Sequence, residues 1–466
     1  MDERKNVRLL QARWVITGTV RLATAGHLGG GDEGPADLNV VRDRAEAEGR
    51  PLMPGASLAG ALRSHLADRL GGYGGPEDGR VTALFGAIPK DDQGTQSPLV
   101  VFDALGTEPT ARVEIRDGVA ITACTGTAQD HKKYDFEVLP AGTAFAVRVD
   151  LLVEEAADEP ALLSALLAAL DGLAQGEIAL GLRRSRGLGE LEATEWRAWR
   201  FDLASSEGWL AWLAADPLAP LPDRAMVCPD PRAACQVAAG VAPAQLEDAR
   251  RRVLVTARLE IRGGVLVRSP ATNATAPDAA HLSSGGRSVL PGTGLGGALR
   301  NRAARILGVV RLDDRDQWVT RLFGPELGFG QKTKPHASRL RVAESVVEGG
   351  GRYRQSRIRV DRATHGVARG ALFDEEPHGG GHVEARLELR DPRPGETGLL
   401  LLLVKDLLAG DLPVGGAAAV GRGVLSGRAT VSASDTTVTL SPPEPPAPEQ
   451  LAWLNDQITE LREVLL

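Results

Sequence analysis

The sequence predicts an α+β fold, and it predicts that fold twice in tandem. Three observations carry the expectation. A ten-residue segment recurs. Strand-period and helix-period apolar patterns follow one another in the same order in both halves. Turn-forming residues punctuate each change. The recurring segment is PGASLAGALR at 54–63 and PGTGLGGALR at 291–300. Leu84-Phe85-Gly86 returns as Leu322-Phe323-Gly324, and Glu137 ahead of Pro140 answers Glu376 ahead of Pro377. Gly187-Leu188-Gly189 answers Gly421-Arg422-Gly423, so the offsets stay between 234 and 239 residues. Four landmarks in one order at nearly one offset describe a duplication.

Each half is read in the same order. An alternating strand opens it (WVITGTVRLA; VLVTARLEI). A polar, Gly-rich loop follows, and Pro-Gly turns the chain into a helix (SLAGALRSHLADRL; LGGALRNRAARIL). Ser57 and Thr293 are the candidate N-caps. Further strands come next, interrupted by a long polar excursion at 116–136 and at 350–382. A strand (FAVRVDLLV; VEARLEL), an Ala/Leu helix, a Gly-rich loop and a last strand complete the half. Strand, helix, strands, helix, strand is the ferredoxin-like order.

This gives a first module over 1–202, an interdomain linker over 203–252 and a second module over 253–440. The linker is rich in Pro and Ala, and Trp196, Trp199, Trp209 and Trp212 are read as packing it onto the first half. Residues 441–466 are a Pro-rich spacer and an amphipathic helix, with Leu451, Leu454, Ile458, Leu461 and Leu465 on one stripe. That stripe suits either its own body or a partner.

Composition excludes several classes. Among 466 residues, 43% are hydrophobic and 25% charged, which is an ordinary globular balance. Cys124, Cys228 and Cys235 are too few for a disulfide framework and fit no zinc spacing. No zinc site and a reducing, cytoplasmic setting are therefore expected. The N-terminal residues do not read as a signal peptide, and no apolar run reaches membrane-spanning length, so no membrane partner is expected. The net charge of −7 opposes nucleic acid at first sight. Residues 203–249 and 441–466 each carry −4, which leaves the two halves near neutral and free to hold a local basic groove.

Three constellations bear chemistry. The Gly-rich loops at 181–193 and 414–429 each follow a helix and enter a strand, so they are not dinucleotide fingerprints. The first holds Arg183, Arg184 and Arg186, a residue type that pairs with phosphate. The Pro-Gly helix starts offer free N–H groups, and Arg63 and Arg300 occupy one repeat position near them, which points to phosphate contact. The loop at 26–54 carries Asp37 and Asp43, and its counterpart offers Asp278. A lone loop Asp is ordinarily a turn residue. No metal-ligand set and no Ser-His-Asp order is legible. His27 and His281, in or near these loops, are read as structural.

Together these segments resemble the RAMP superfamily of CRISPR type III effector complexes, above all its backbone subunits, here as a tandem fusion. The residues that carry the likeness are the Asp37 loop, RPLMPGASLAGALR, FDAL, FEVLPAGTAF and RRSRGLGELEA in the first half. In the second they are SVLPGTGLGGALR, RIRVDRATHGVARGALFDEEP, VKDLLAGDLPVGG and GRGVLSGRATV. The resemblance implies two ferredoxin-like, RRM-like modules, each with a thumb β-hairpin, at 116–136 and 350–382. It implies a crRNA-binding subunit that stacks with other type III effector subunits and kinks the guide–target duplex. It places cleavage of target RNA at Asp37 and, across an alignment gap, at Asp278, with Mg2+ or another divalent cation held transiently there.

Guide contacts fall on the backbone, because guide sequence varies. The candidates are Arg63, Arg183, Arg184, Arg186, Arg300, Arg359 and Arg362, with Lys132 and Lys133 on the first thumb. Two other functions compete. One is a non-catalytic RNA-binding scaffold of the same complex. The other is a guide-processing endonuclease of the superfamily, which the tandem backbone-like motifs oppose.

Overall fold

The computed structural model describes residues 9–465, apart from 32–35, 44, 46–48, 88–94, 109–111, 123–126, 156, 241–242, 270–275, 310–313 and 326–333. Cys124 lies outside the described residues. Short strands aside, the first half runs β1 (Leu10–Leu22), α1 (Gly55–Gly71), α2 (Gly79–Phe85) and β2 (Leu99–Val101). The hairpin β3–β4 (Glu114–Ile121 and Ala128–Val138), β5 (Ala144–Glu154), α3 (Glu159–Ala174) and β6 (Leu191–Asp202) follow. Helices α4 (Ser206–Leu213) and α5 (Pro231–Ala239) lie between the halves.

The second half repeats the order: β7 (Arg252–Arg262), the short β8 (Ala279–His281), α6 (Gly292–Val309), α7 (Arg315–Phe323) and β9 (Leu340–Val342). The hairpin β10–β11 (Gln355–Val360 and Val367–Glu376), β12 (His382–Arg390), α8 (Glu396–Ala409), β13 (Val424–Ala433), β14 (Thr436–Leu440) and α9 (Pro448–Leu465) complete it.

The alternation in the opening strands places them at sheet centres. The first sheet has the order β2-β5-β1-β6, with antiparallel neighbours. The second sets β9-β12-β7-β13-β14 side by side, again antiparallel. This mixed content, repeated in order, is consistent with tandem ferredoxin-like modules. Each half closes its own core. Trp14, Ile16, Leu166 and Leu170 belong to the first, and Val255, Leu259, Leu403 and Leu407 to the second.

The helix starts differ from the expectation. Neither Ser57 nor Thr293 is an N-cap, because α1 begins at Gly55 and α6 at Gly292. The Gly55 N–H donates to Asp103 Oδ1 at 2.6 Å instead. The glycines let these ends press on the neighbouring strand. A Cβ would lie 2.3 Å from Val101 O at Gly55, and 2.1 Å from Val342 O at Gly292.

The segment between the halves carries more structure than its composition suggested. Cys228, Ala234 and Cys235 join the first core. Arg13 stacks on Trp212 at 3.9 Å and Arg224 on Trp199 at 4.5 Å, while Trp196 is buried against Gly18. The terminal helix α9 lies on α8. A Cβ at Gly398 would come within 2.8 Å of Leu461 Cβ, and Leu461 is buried.

The halves meet through polar groups. Arg116 of β3 makes a two-bonded, buried pair with Glu344. Gly285 N–H donates to Glu114 at 2.8 Å, and Ala141 N–H to Ser284 Oγ at 3.1 Å. Tyr73 donates to Glu388 at 2.7 Å, and Arg252 to Glu177 at 2.7 Å. Gly187, at φ 81°, packs so closely that a Cβ would fall 2.1 Å from Glu344 N.

Candidate nucleic-acid interface

The chain just before α1 is held against the foot of the first hairpin. Leu38 bridges Phe136 in parallel, and Glu137 N–H donates to Leu38 O at 2.9 Å. The buried Glu137 carboxylate takes Val40 N–H at 3.0 Å and Arg42 at 3.2 Å. Asn39 and Ala36 clasp each other from the other side. Asp37 is thereby set out in solvent beside β4. Its Oδ2 accepts from Asp135 N–H at 3.0 Å, and its own N–H donates to Asp135 Oδ1 at 2.8 Å.

The second half repeats the placement. Strand β8 runs parallel to the end of β11, with Ala279 opposite Glu375 and Ala280 opposite Glu376. Asp374 N–H donates to Asp278 Oδ2 at 2.8 Å, and Asp278 is exposed. Asp37 and Asp278 therefore occupy equivalent positions, although the stretch from the aspartate to the Pro-Gly helix start is shorter in the second half. The partner carboxylates differ. Asp374 accepts from Ser356 Oγ at 2.6 Å and Arg354 at 2.7 Å, and those bonds hold its carboxyl below the ordinary range. Asp43 takes Ala45 N–H at 3.1 Å and acts as a turn residue.

The histidines sit behind this edge. His27 is buried, with Nδ1 2.7 Å from Glu137 O. His281 is buried and accepts Val267 N–H at 3.1 Å. Burial first, then the charges of His378 and Arg352, push its pKa down to about 4. Among the described residues no group of three or more His, Cys, Asp or Glu is assembled as a metal cage. Mg2+ needs less, since it commonly uses one or two carboxylates and completes its shell with substrate phosphate and water. Asp37 keeps an oxygen outside its bond from Asp135 N–H, and Asp278 keeps one outside its bond from Asp374 N–H, so each offers such an ion a single carboxylate.

The basic residues separate into two groups. Arg63 donates to Gly86 O at 3.1 Å and pairs with Glu77 at 2.7 Å. Arg300 donates to Gly324 O at 2.8 Å. Those carbonyls end α2 and α7, so the arginine kept in both copies serves a helix terminus. Arg183 bonds the Tyr134 hydroxyl and lies 4.9 Å from the Phe136 ring, which fixes the Gly-rich loop to the hairpin foot. Lys133 pairs with Asp117 at 3.1 Å.

The others face solvent. Lys132, Arg184, Arg186, Arg359 and Arg362 are exposed. Arg186 also feels the like charges of Arg183 and Arg300, so guanidinium groups gather near the junction of the halves. Two features were missed in the sequence. Asp135 and Asp374 are the partners of the loop aspartates, and Arg369 adds to the exposed cationic rim of β10–β11. The spacing from Asp135 to Asp374 is 239, the offset already set by Glu137 and Glu376, and it could have revealed the pair.

Fold and site define a class: two tandem α+β modules, each setting an exposed loop aspartate at the foot of a β-hairpin. The sequence profile of the RAMP superfamily matches residues 19–192 and 265–426. The chain belongs to the RAMP superfamily, and its two matched regions are consistent with a two-module architecture. No curated protein matches the chain. Among the described residues no helix is long and apolar enough to cross a membrane.

Proposed function

We propose that this chain is a crRNA-binding backbone subunit of a type III CRISPR effector complex, working in the cytoplasm, and that it cleaves complementary target RNA. Superfamily membership supports the RNA-binding part. The observation that supports cleavage is the repeated exposed carboxylate at a hairpin foot, Asp37 in one module and Asp278 in the other.

The chemistry asks little of the protein. RNA carries its own nucleophile, the 2′-OH. A hairpin that wedges the paired strands apart can turn that hydroxyl in line with its phosphate, which is a positioning effect. Asp37 and Asp278 each spend one oxygen on a backbone N–H, and the other receives the 2′-OH proton; the 2′-oxygen bonds to phosphorus, the P–O5′ bond breaks, and the departing 5′-oxygen takes a proton from water. General base action of this kind is worth roughly 10²–10⁴-fold. Mg2+ would be held through its own water shell beside Asp37 and beside Asp278, and would neutralise charge at the scissile phosphate.

Guide and target phosphates are met by Lys132, Arg184, Arg186, Arg359 and Arg362, with no dependence on base sequence. Arg63, Arg183 and Arg300 support the frame, and Lys133 contributes from a pair that solvent reaches.

The scaffold reading has one observation in its favour. An Asp that accepts a backbone N–H is also what stabilises a loop. The assembled complex separates the two readings. The Asp37→Ala/Asp278→Ala double variant is expected to keep guide and target binding and to lose about 100-fold or more of the Mg2+-dependent cleavage. Undiminished cleavage in that variant would make the chain a scaffold and place the nuclease in a neighbouring subunit.

A further inference from the structure

We propose that Asp135 is a positioning residue for Asp37, and that the first module holds its site by a reciprocal latch that the second module does not use. The proposal rests on the reading of Asp37 as the cleaving carboxylate.

The latch consists of two bonds between the same two residues. Asp135 N–H donates to Asp37 Oδ2 at 3.0 Å, and Asp37 N–H donates to Asp135 Oδ1 at 2.8 Å. One bond orients the Asp37 side chain, and the other fixes its backbone. The loop needs both, because among the described residues around Asp37 a single bridge, Leu38–Phe136, sets it on β4. Its registration comes from the Leu38–Phe136 bridge and the Ala36–Asn39 clasp. Asp135 itself is well held. It sits in β4 between Tyr134 and Phe136, and Arg183 lies over both rings.

In the second module the first bond is present and the second is replaced. Asp374 N–H donates to Asp278, but the Asp374 carboxylate turns to Ser356 and Arg354 on β10. Backbone registration there comes from the two-residue parallel pairing of β8 with β11. The two modules thus fix equivalent aspartates by different means. A reacting group needs placement within about 0.5 Å, and a misplacement of about 1 Å costs on the order of 100-fold.

The test uses the assembled complex, with products of the two sites resolved on a gel. Asp135→Ala should lower the first-module product by about 10- to 100-fold through kcat, with target affinity kept. Asp135→Asn retains the acceptor oxygen and should recover most of that rate. Asp374→Ala should leave the second-module product unchanged. Deuterium exchange at the Asp37 amide should quicken in Asp135→Ala and stay slow in Asp135→Asn. Should Asp135→Ala fail to assemble, Asp135→Ser shortens the acceptor's reach and carries the same expectation.

Equal losses in Asp135→Ala and Asp135→Asn would overturn the latch, since charge would then matter and position would not. An unchanged first product in Asp135→Ala would overturn it as well. Asp37→Ala runs alongside. If it too leaves that product intact, the nuclease reading fails, and amide exchange still decides whether the latch exists.

Discussion

Arg63 and Arg300 each donate to the carbonyl that ends a short helix, so their recurrence answers to the fold. Removing Arg63 leaves the Gly86 carbonyl and Glu77 without it. Arg63→Ala is expected to destabilise the chain by about 1–3 kcal/mol in chemical unfolding, with RNA affinity unaltered. Arg359 and Arg362 should behave in the opposite way. Each alanine variant should lower the salt slope of RNA binding by about 1 and leave the unfolding midpoint in place. The sequence could not separate these roles, because recurrence reports that a residue is needed and not which neighbour needs it. Asp37 was legible from the likeness of its loop. Its partner Asp135 was not, since β4 reads as an ordinary polar hairpin strand until its offset to Asp374 is measured.

Strand and helix order was legible because apolar period changes are large signals in long elements such as β1 and α3. Helix ends were less so. Ser57 has the chemistry of a cap, yet Pro54-Gly55 starts the helix earlier because the glycine can press on β2. Helices α4 and α5 were hidden inside a Pro/Ala-rich stretch. Their signals are local: Ser205 caps Gly208 N–H at 3.1 Å, and Asp230 caps Ala233 N–H at 2.8 Å ahead of Pro231. The stripe on α9 was legible, but a stripe does not name the surface it meets. Here it meets α8, and Leu461→Ala is expected to cost about 2–5 kcal/mol in the second module's unfolding transition.

At the scale of the whole molecule, two closed cores are joined by polar contacts, one of them a buried ion pair, and this junction has no sequence signature. The Arg116–Glu344 pair spans 228 residues. Glu344→Ala strands a buried guanidinium and should cost about 3–5 kcal/mol, read as a lower unfolding midpoint. His65 of α1 is buried against Gly172 of α3, 3.8 Å from Glu177. Burial first, then the charge of Arg250, push its pKa down to about 4 from an ordinary 6.5.

The folded chain therefore keeps His65 neutral where the unfolded chain protonates it. The unfolded state binds more protons between about pH 4 and 6.5, so stability rises with pH across that window and falls on acidification toward 4. His281, lowered to about 4 as well, adds to the same slope. A His65→Asn variant should show a shallower pH dependence of the unfolding midpoint between those limits.

On the proposed function, each module makes its own cut. The measurement that tests it maps, at single-nucleotide resolution, where the assembled complex cleaves an end-labelled RNA complementary to the guide. Wild type should give two cuts at a fixed separation. Asp37→Ala should erase one of them and Asp278→Ala the other, with the remaining cut unmoved. Both cuts persisting in both variants, or both vanishing together in either one while the RNA stays bound, would contradict a site in each module.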